Sequence, residues 1–145
     1  MTSPRPNEID VDVRYAETDQ MGVVHHANYL VWFELARTEL CARSGLHYRR
    51  IEEAGYLLMV TQAQLKYRQG ARYGDRVRVS CQLENLASRG MRFFYQVRRD
   101  EELLTTGRTH HIWVEGTSGR PCRIPEMARP FFESMAVAAK SLAGS

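Results

Sequence analysis

The sequence predicts an α+β domain in which one long helix covers a face of a five-stranded antiparallel sheet and a short helix follows at the C-terminus. Five segments have the alternating, β-branched or aromatic character of strands. One segment near the N-terminus has the spacing of an amphipathic helix. Because the 145 residues contain no internal repeat or linker, we expect residues 1–145 to form a single domain.

The first strand and the long helix follow from two different periodicities. Residues 9–15 alternate between charged and apolar side chains, and the apolar set is Ile9, Val11, Val13 and Tyr15. Residues 28–44 instead place apolar side chains on one helical face, namely Tyr29, Trp32, Phe33, Ala36 and Leu40. Gly45 is placed to end this helix.

Four more strands are predicted over residues 57–69, 76–84, 92–99 and 103–115. Turn-forming groups separate them at 70–75, 85–90, 100–102 and 116–119. A last helix is predicted over 130–142, because apolar side chains recur there at helical spacing: Phe131, Met135, Ala138 and Leu142. Such a sheet has two unpaired edges and only one long helix to cover it, so we expect a homodimer at least.

The composition excludes several classes of protein. Hydrophobic residues are 43% and charged residues 26%, which is typical of a globular domain. The formal charge is only +3 and no basic stripe is interleaved with aromatics, so no nucleic-acid partner is expected. Three cysteines, far apart in the sequence, form no disulfide framework. Since no secretory signal or membrane span is present either, we expect a soluble cytoplasmic protein without membrane insertion.

Several common catalytic motifs are missing from the sequence. There is no G-x-S-x-G elbow, phosphate-binding loop, dinucleotide fingerprint or H-E-x-x-H pair. His110 and His111 are adjacent on a predicted strand and must point to opposite faces, so they cannot hold one ion together. We therefore expect neither a metal site nor a cofactor.

The segment YAETDQMGVVHHANY, residues 15–29, joins the first strand to the long helix. It combines a carboxylate, Asp19, with a glycine turn, two histidines and a helix start. A carboxylate can attack a carbonyl or activate water, and the free amides of a helix start can stabilise the oxyanion that forms. These are components of an acyl-transfer site.

Each of these residues also has a structural interpretation. Asp19 could form the turn before Gly22, and Tyr15 has the phase of a core residue. His26 could be a partly buried histidine with a bonded ring nitrogen, and Asn28 could be a helix N-cap. The residue pattern alone leaves the catalytic and structural interpretations open.

Residues 15–38 closely resemble the opening of the hotdog-fold acyl-CoA thioesterases of the 4-hydroxybenzoyl-CoA thioesterase type, including their Tol-Pal-associated (YbgC-like) branch. The matching residues are Tyr15, Glu17, Thr18, Asp19, Gly22, Val23, Val24, His25, His26, Ala27, Asn28, Tyr29, Ala36, Arg37, Thr38 and Glu39. Residues 71–75 and 120–125 also resemble family segments, so the resemblance covers nearly the whole chain. It implies the hotdog fold, a sheet wrapped around the long helix.

The resemblance also implies a function, the hydrolysis of an acyl-CoA thioester. Asp19 is implied as nucleophile or general base, with His26 and Tyr15 as supporting residues and the backbone amide of about His26 polarising the carbonyl. Substrate contacts are expected from Gly22, Val24, Asn28 and Tyr29. Arginines near turns are candidates for the CoA phosphates: Arg68, Arg89, Arg120 and Arg123.

Two other functions are compatible with the sequence. The chain could bind an acyl thioester without hydrolysing it, or it could be a structural partner of an envelope complex. Because family members place their sites between chains, the resemblance implies a homodimer or homotetramer with acyl-CoA as its substrate.

Overall fold

The computed structural model describes residues 7–143, with side chains described as far as Lys140. The strands are β1 (Glu8–Asp12), β2 (Tyr56–Tyr67), β3 (Arg76–Leu86), β4 (Gly90–Arg99), β5 (Glu102–Glu115) and β6 (Pro121–Cys122). The helices are α1 (Ala27–Arg43), α2 (Tyr48–Glu53) and α3 (Arg129–Ala143), and a short 3-10 turn covers Tyr15–Glu17. This is the predicted α+β architecture. Within residues 7–143, no helix is both long and apolar enough to cross a membrane.

The sheet is antiparallel, with strand order β1-β3-β4-β5-β2. These five strands are the predicted ones, but the predicted strand number is wrong because β6 adds a two-residue pairing at the end of β5. The short helix α2 was also not predicted. Its six residues bury only Ile51, so it has no apolar periodicity to recognise.

Helix α1 packs against the sheet and contributes five residues to the core. Its buried residues are Tyr29, Trp32, Phe33, Ala36 and Cys41. The Phe33 ring stacks on Tyr95 of β4 with a centroid distance of 4.3 Å and an interplanar angle of 8°. Below Phe33 lies Gly107 of β5, where a Cβ would be 2.4 Å from Phe33 Cε2. The missing side chain at Gly107 therefore allows the helix to approach the sheet this closely.

The structure corrects the interpretation of Tyr15 as the end of a strand and as a possible core residue. Strand β1 ends at Asp12, and the Tyr15 side chain is 76% exposed. The chain bends here because the amides of Glu17 and Thr18 donate to the carbonyls of Arg14 and Tyr15 at 3.0 Å each. These hydrogen bonds within the turn replace the interstrand hydrogen bonds that the alternating pattern predicted for residues 13–15.

The buried face of α3 also differs from the prediction. Phe132 and Met135 are buried, whereas Phe131 is half-buried and Ala138 is exposed. The face is set by Trp113 of β5, whose ring meets Phe132 edge-to-face at 5.7 Å. The fourth predicted residue, Leu142, lies outside the described side chains.

The two edges of the sheet differ in length and chemistry. Edge strand β1 has five residues, and its Asp10 and Asp12 form ion pairs with Arg76 of β3. Edge strand β2 has twelve residues, most of them exposed. Its exposed apolar side chains include Leu57, Met59, Val60 and Tyr67, and helix α1 exposes Leu30, Val31 and Leu35. A long apolar edge of this kind is a surface on which another strand can pair.

A chain of buried hydrogen bonds connects α1 to β5 across the core. Arg37 Nη1 donates to the Tyr95 hydroxyl at 2.9 Å, and this hydroxyl lies 2.7 Å from Thr109 Oγ1. His111 Nε2 lies 2.7 Å from the same Thr109 oxygen, while His111 Nδ1 is buried without a partner. Burial, together with the positive charges of Arg37 and His110, lowers the pKa of His111 to about 3.

This histidine predicts a pH dependence of stability. Its folded pKa lies below the ordinary value of 6.5, so between pH 6.5 and about 3 only the unfolded chain binds the proton. The free energy of unfolding should therefore fall with acidification across that window, with His111 contributing a slope of up to about 1.4 kcal/mol per pH unit. Urea unfolding at several pH values measures it, and His111→Phe should show a shallower slope than the parent. Equal slopes in the two proteins would contradict the assignment.

Candidate active site

The segment between β1 and α1 folds back on itself as a short loop that carries Asp19. Thr18 and Val24 form an antiparallel bridge, and the Asp19 amide donates to the Val23 carbonyl at 2.8 Å. The loop is attached to the rest of the chain through Ala71, whose carbonyl accepts from the Val24 amide at 2.8 Å and whose amide donates to the Tyr29 hydroxyl at 3.1 Å. The start of α1 follows immediately.

The Asp19 carboxylate has one bonded and one free oxygen. Oδ1 accepts from the amides of Met21 at 2.8 Å and Val23 at 3.4 Å. Gly22 closes the turn with φ +79°, a conformation that favours glycine, and its amide donates to the Asp19 carbonyl at 3.0 Å. Asp19 Oδ2 has no partner among residues 7–143, and the side chain is exposed. Asp19 thus forms the turn, as the structural interpretation expects, and still presents one oxygen for chemistry.

One backbone amide at the start of α1 is also free. The Ala27 amide donates to His25 Nδ1 at 3.3 Å, and the Asn28 and Tyr29 amides donate to the carbonyls of His25 and His26. The His26 amide has no partner within the described part of the chain. It is the amide that the family resemblance implies for polarising the carbonyl, and it lies at the positive end of the helix dipole.

The histidine side chains are exposed, so the interpretation of His26 as a partly buried residue is wrong. The His25 and His26 rings stack on each other with centroids 4.2 Å apart. The Tyr67 hydroxyl, at the end of β2, donates to the His26 carbonyl at 3.3 Å. Tyr67 therefore connects the edge strand to the helix start, a role that only the folded chain reveals.

The other predicted residues of the loop have mixed positions. Tyr15 packs edge-to-face on Tyr73 at 5.8 Å. Val24 and Tyr29 are buried, so their side chains support the loop and present no surface to a substrate in one chain. Asn28 is not the N-cap, a position that His26 occupies. Its side-chain Nδ2 instead donates to the Glu17 carbonyl at 3.0 Å and holds the loop against the helix.

The candidate arginines lie at two ends of the sheet. Arg68 follows the last residue of β2, near the Asp19 loop, and is exposed. Arg89 lies in the β3–β4 turn, where its carbonyl accepts from the amide of Trp113 at 3.1 Å. Arg120 and Arg123 flank β6, which pairs with the same end of β5. Tyr67 pairs with Thr105 and Tyr56 with Glu115, so Arg89, Arg120 and Arg123 lie at the far end from Asp19 within one chain.

Sequence reasoning missed two further groups near the loop. Arg72 forms an antiparallel β-bridge with Val23. The Arg72 Nη1 atom lies 3.7 Å from the position that a Cβ on Gly22 would take. Glu17 is a buried carboxylate that accepts from the Trp32 indole at 2.8 Å. Glu17 is itself one of the residues that match the family pattern, but nothing in the spacing indicated that its side chain faces inward.

One cavity of the single chain lies at the far end of the sheet. It has a volume of about 170 Å³ and is lined by Glu34, Arg37, Thr38, Tyr48, Ile51, Glu52, Tyr56, Leu57 and Leu58. Its walls are α1, α2 and the beginning of β2, so Asp19 does not line it.

Comparisons with known proteins place the chain in a family. Residues 13–132 match the model of the thioesterase-like superfamily. A Bacillus subtilis (strain 168) protein with the provisional name acyl-CoA thioesterase YneP is 36% identical over 113 residues, which are 77% of this chain and 82% of that protein.

Two solved structures superpose closely on the chain. Hypothetical protein TT1821 from Thermus thermophilus has a TM-score of 0.82 at 41% identity, with 90% of this chain and 98% of that one covered. The DHNA-CoA thioesterase from Staphylococcus aureus has a TM-score of 0.83 at 28% identity, with 95% and 93% covered. These matches confirm the predicted hotdog fold. The chain therefore belongs to the thioesterase-like superfamily.

Proposed function

We propose that this thioester hydrolase acts on an acyl-CoA and that Asp19 is its catalytic carboxylate. The observation that carries the proposal is the presence of two free groups in the segment 15–29, Asp19 Oδ2 and the His26 amide. The names of two relatives, one an acyl-CoA thioesterase and one a DHNA-CoA thioesterase, support a CoA thioester as the substrate. Membership of the Tol-Pal-associated branch stays a prediction from the resemblance.

The two free groups can act on a thioester by either of two routes. In one, Asp19 Oδ2 attacks the carbonyl carbon, the carbon–sulfur bond breaks, and water then hydrolyses the mixed anhydride. In the other, Asp19 takes a proton from a water molecule that attacks the same carbon. In both, the His26 amide donates to the developing oxyanion, and CoA leaves as a thiolate. Alkyl thiols of the cysteine kind have a pKa of about 8.5, so a strong general acid is dispensable.

The proposal includes a homodimer in which the partner completes the site. Antiparallel pairing of two β2 strands about a two-fold axis would bring the Tyr56 end of one copy beside the Tyr67 end of the other. The partner copy would then contribute the 170 Å³ cavity and the far-end arginine Arg89 to the site of Asp19. The exposed apolar side chains of β2 and α1 support this arrangement, because one protomer leaves them uncovered.

The test is release of free thiol from a panel of short, long and aromatic acyl-CoA thioesters by the purified protein. Hydrolysis of at least one class well above the uncatalysed rate is expected, and the panel identifies the acyl group. The alternative of a binding module predicts a different result, which is saturable binding of an acyl-CoA in titration calorimetry with no thiol released. That result would overturn the proposed function.

A further inference from the structure

We propose that Glu17 is a positioning residue of this site, whose buried carboxylate holds the Asp19 loop and the free His26 amide in place without touching the substrate. The inference rests on the proposed function, since it concerns the geometry of the same two groups. It adds a residue that neither spacing nor the resemblance singled out for the chemistry.

The Glu17 side chain joins the turn before the loop to the helix after it. Its side chain is buried, with Oε1 accepting from the Arg14 amide at 2.8 Å and Oε2 accepting from the Trp32 indole Nε1 at 2.8 Å. The Arg14 guanidinium lies 3.5 Å from Oε1. Both carboxylate oxygens are thus occupied by protein donors, which leaves Glu17 unsuited to a direct chemical role.

The backbone of Glu17 adds two more connections. Its carbonyl accepts from the His25 amide at 2.8 Å and from Asn28 Nδ2 at 3.0 Å. Glu17 precedes Asp19 by two residues, and the His25 bond lies one residue before the free His26 amide. A single residue therefore connects the chain on both sides of the two groups that act on the carbonyl.

The charge state of Glu17 agrees with a fixed structural anion. Burial raises the pKa of this carboxyl, but the hydrogen bonds from the Arg14 amide and the Trp32 indole and the charge of Arg14 outweigh it, so the pKa lies below the ordinary value. A buried carboxylate is retained only where donors satisfy it, and charge-assisted bonds are shorter and stronger than neutral ones. Both features oppose small displacements of the loop.

Displacement is costly for this kind of chemistry. A misplacement of about 1 Å in a reacting group can reduce the rate by about 10²-fold, even when substrate binding is unchanged. Loss of the Glu17 side-chain hydrogen bonds should therefore lower kcat and leave KM nearly unaffected.

The test is Glu17→Gln, which keeps the size of the side chain but replaces one acceptor oxygen with an NH2 group. That group must face either the Arg14 amide or the Trp32 indole, and both are donors. We expect kcat to fall at least about tenfold, with KM within about twofold of the parent. Glu53→Gln is the matched control, because Glu53 is exposed and pairs only with Arg49 on α2; it should retain the parent's kcat.

A second variant separates positioning from simple destabilisation. Trp32→Phe in the Glu17→Gln background removes the donor that opposes the new NH2 group. We expect it to restore part of kcat per folded molecule even though it lowers the melting temperature further, since Trp32 is a buried core residue. If Glu17 only stabilised the fold, adding Trp32→Phe to Glu17→Gln would lower kcat further.

The outcomes distinguish this inference from the proposed function. An inactive parent protein overturns the proposed function and the inference with it. An active parent with an unchanged kcat in Glu17→Gln overturns the inference alone. The same holds if kcat falls but Trp32→Phe gives no recovery, because the loss then follows stability and not the donor conflict.

Discussion

Asp19→Asn is expected to lower kcat for acyl-CoA hydrolysis by about 10³-fold or more, equivalent to roughly 4 kcal/mol of transition-state stabilisation. The substitution is nearly isosteric and keeps the oxygen that accepts from the Met21 and Val23 amides, so the turn should survive. It removes the negative charge that, in the proposed mechanism, attacks the carbonyl or accepts a proton from water. Single-turnover thiol release at saturating substrate measures the effect directly.

The control for this variant is Asp100→Asn. Asp100 lies exposed in the β4–β5 turn with φ +54°, a conformation that asparagine adopts as readily as aspartate. It should retain the parent's turnover, which shows that loss of one surface carboxylate has no general effect. Asp19→Asn should also keep the parent's melting temperature and elution volume. Turnover within tenfold of the parent would remove Asp19 from the mechanism.

Gly107→Ala should have the largest effect on stability, lowering the free energy of unfolding by about 3 kcal/mol and the melting temperature by roughly 10 °C. The new methyl group would lie 2.4 Å from Phe33 Cε2, 2.8 Å from Cζ and 3.1 Å from the Gln64 carbonyl oxygen. Phe33 cannot move away at low cost, because it is fully buried and stacked on Tyr95. Thermal unfolding followed by circular dichroism measures the loss.

A compensating substitution tests the cause of that destabilisation. Phe33→Leu is destabilising alone, since it removes buried ring atoms. Combined with Gly107→Ala it should cost less than the two single changes together, because the shorter side chain makes room for the methyl group. Strict additivity of the two free energies would mean that the clash between positions 33 and 107 is not the cause.

Periodicity predicted most of the fold because most of its elements bury one face. Four of the five predicted apolar residues of α1 are buried and the fifth, Leu40, is half-buried. Strands β1–β5 overlap the five predicted strand segments. The prediction was wrong where a tertiary contact decides the outcome. Trp113 determines which face of α3 is buried, and the turn after β1 points Tyr15 outwards.

The candidate site was predictable as a segment but not as a geometry. Residues 15–29 do form one compact loop before α1, since the glycine turn and the helix start are local features. Glu17 faces inward because it accepts from Trp32, which lies 15 positions further along the chain. The contact between Tyr67 and His26 joins residues that are 41 positions apart. Local spacing carries no information about such pairs. Arg89 and Asp19 likewise lie at opposite ends of the sheet, and this separation depends on how the strands pair.

The hydrogen bond from Tyr67 to the His26 carbonyl has a consequence for strand slippage. Tyr67 is the last residue of β2, and neighbouring residues on a strand point to opposite faces. A slip of one position would place Lys66 or Arg68 at this contact, and neither side chain has a phenolic hydroxyl. The alignment of the outermost strand and the position of the first residues of α1 are therefore linked through one phenolic hydroxyl, and a slipped strand would lose that link.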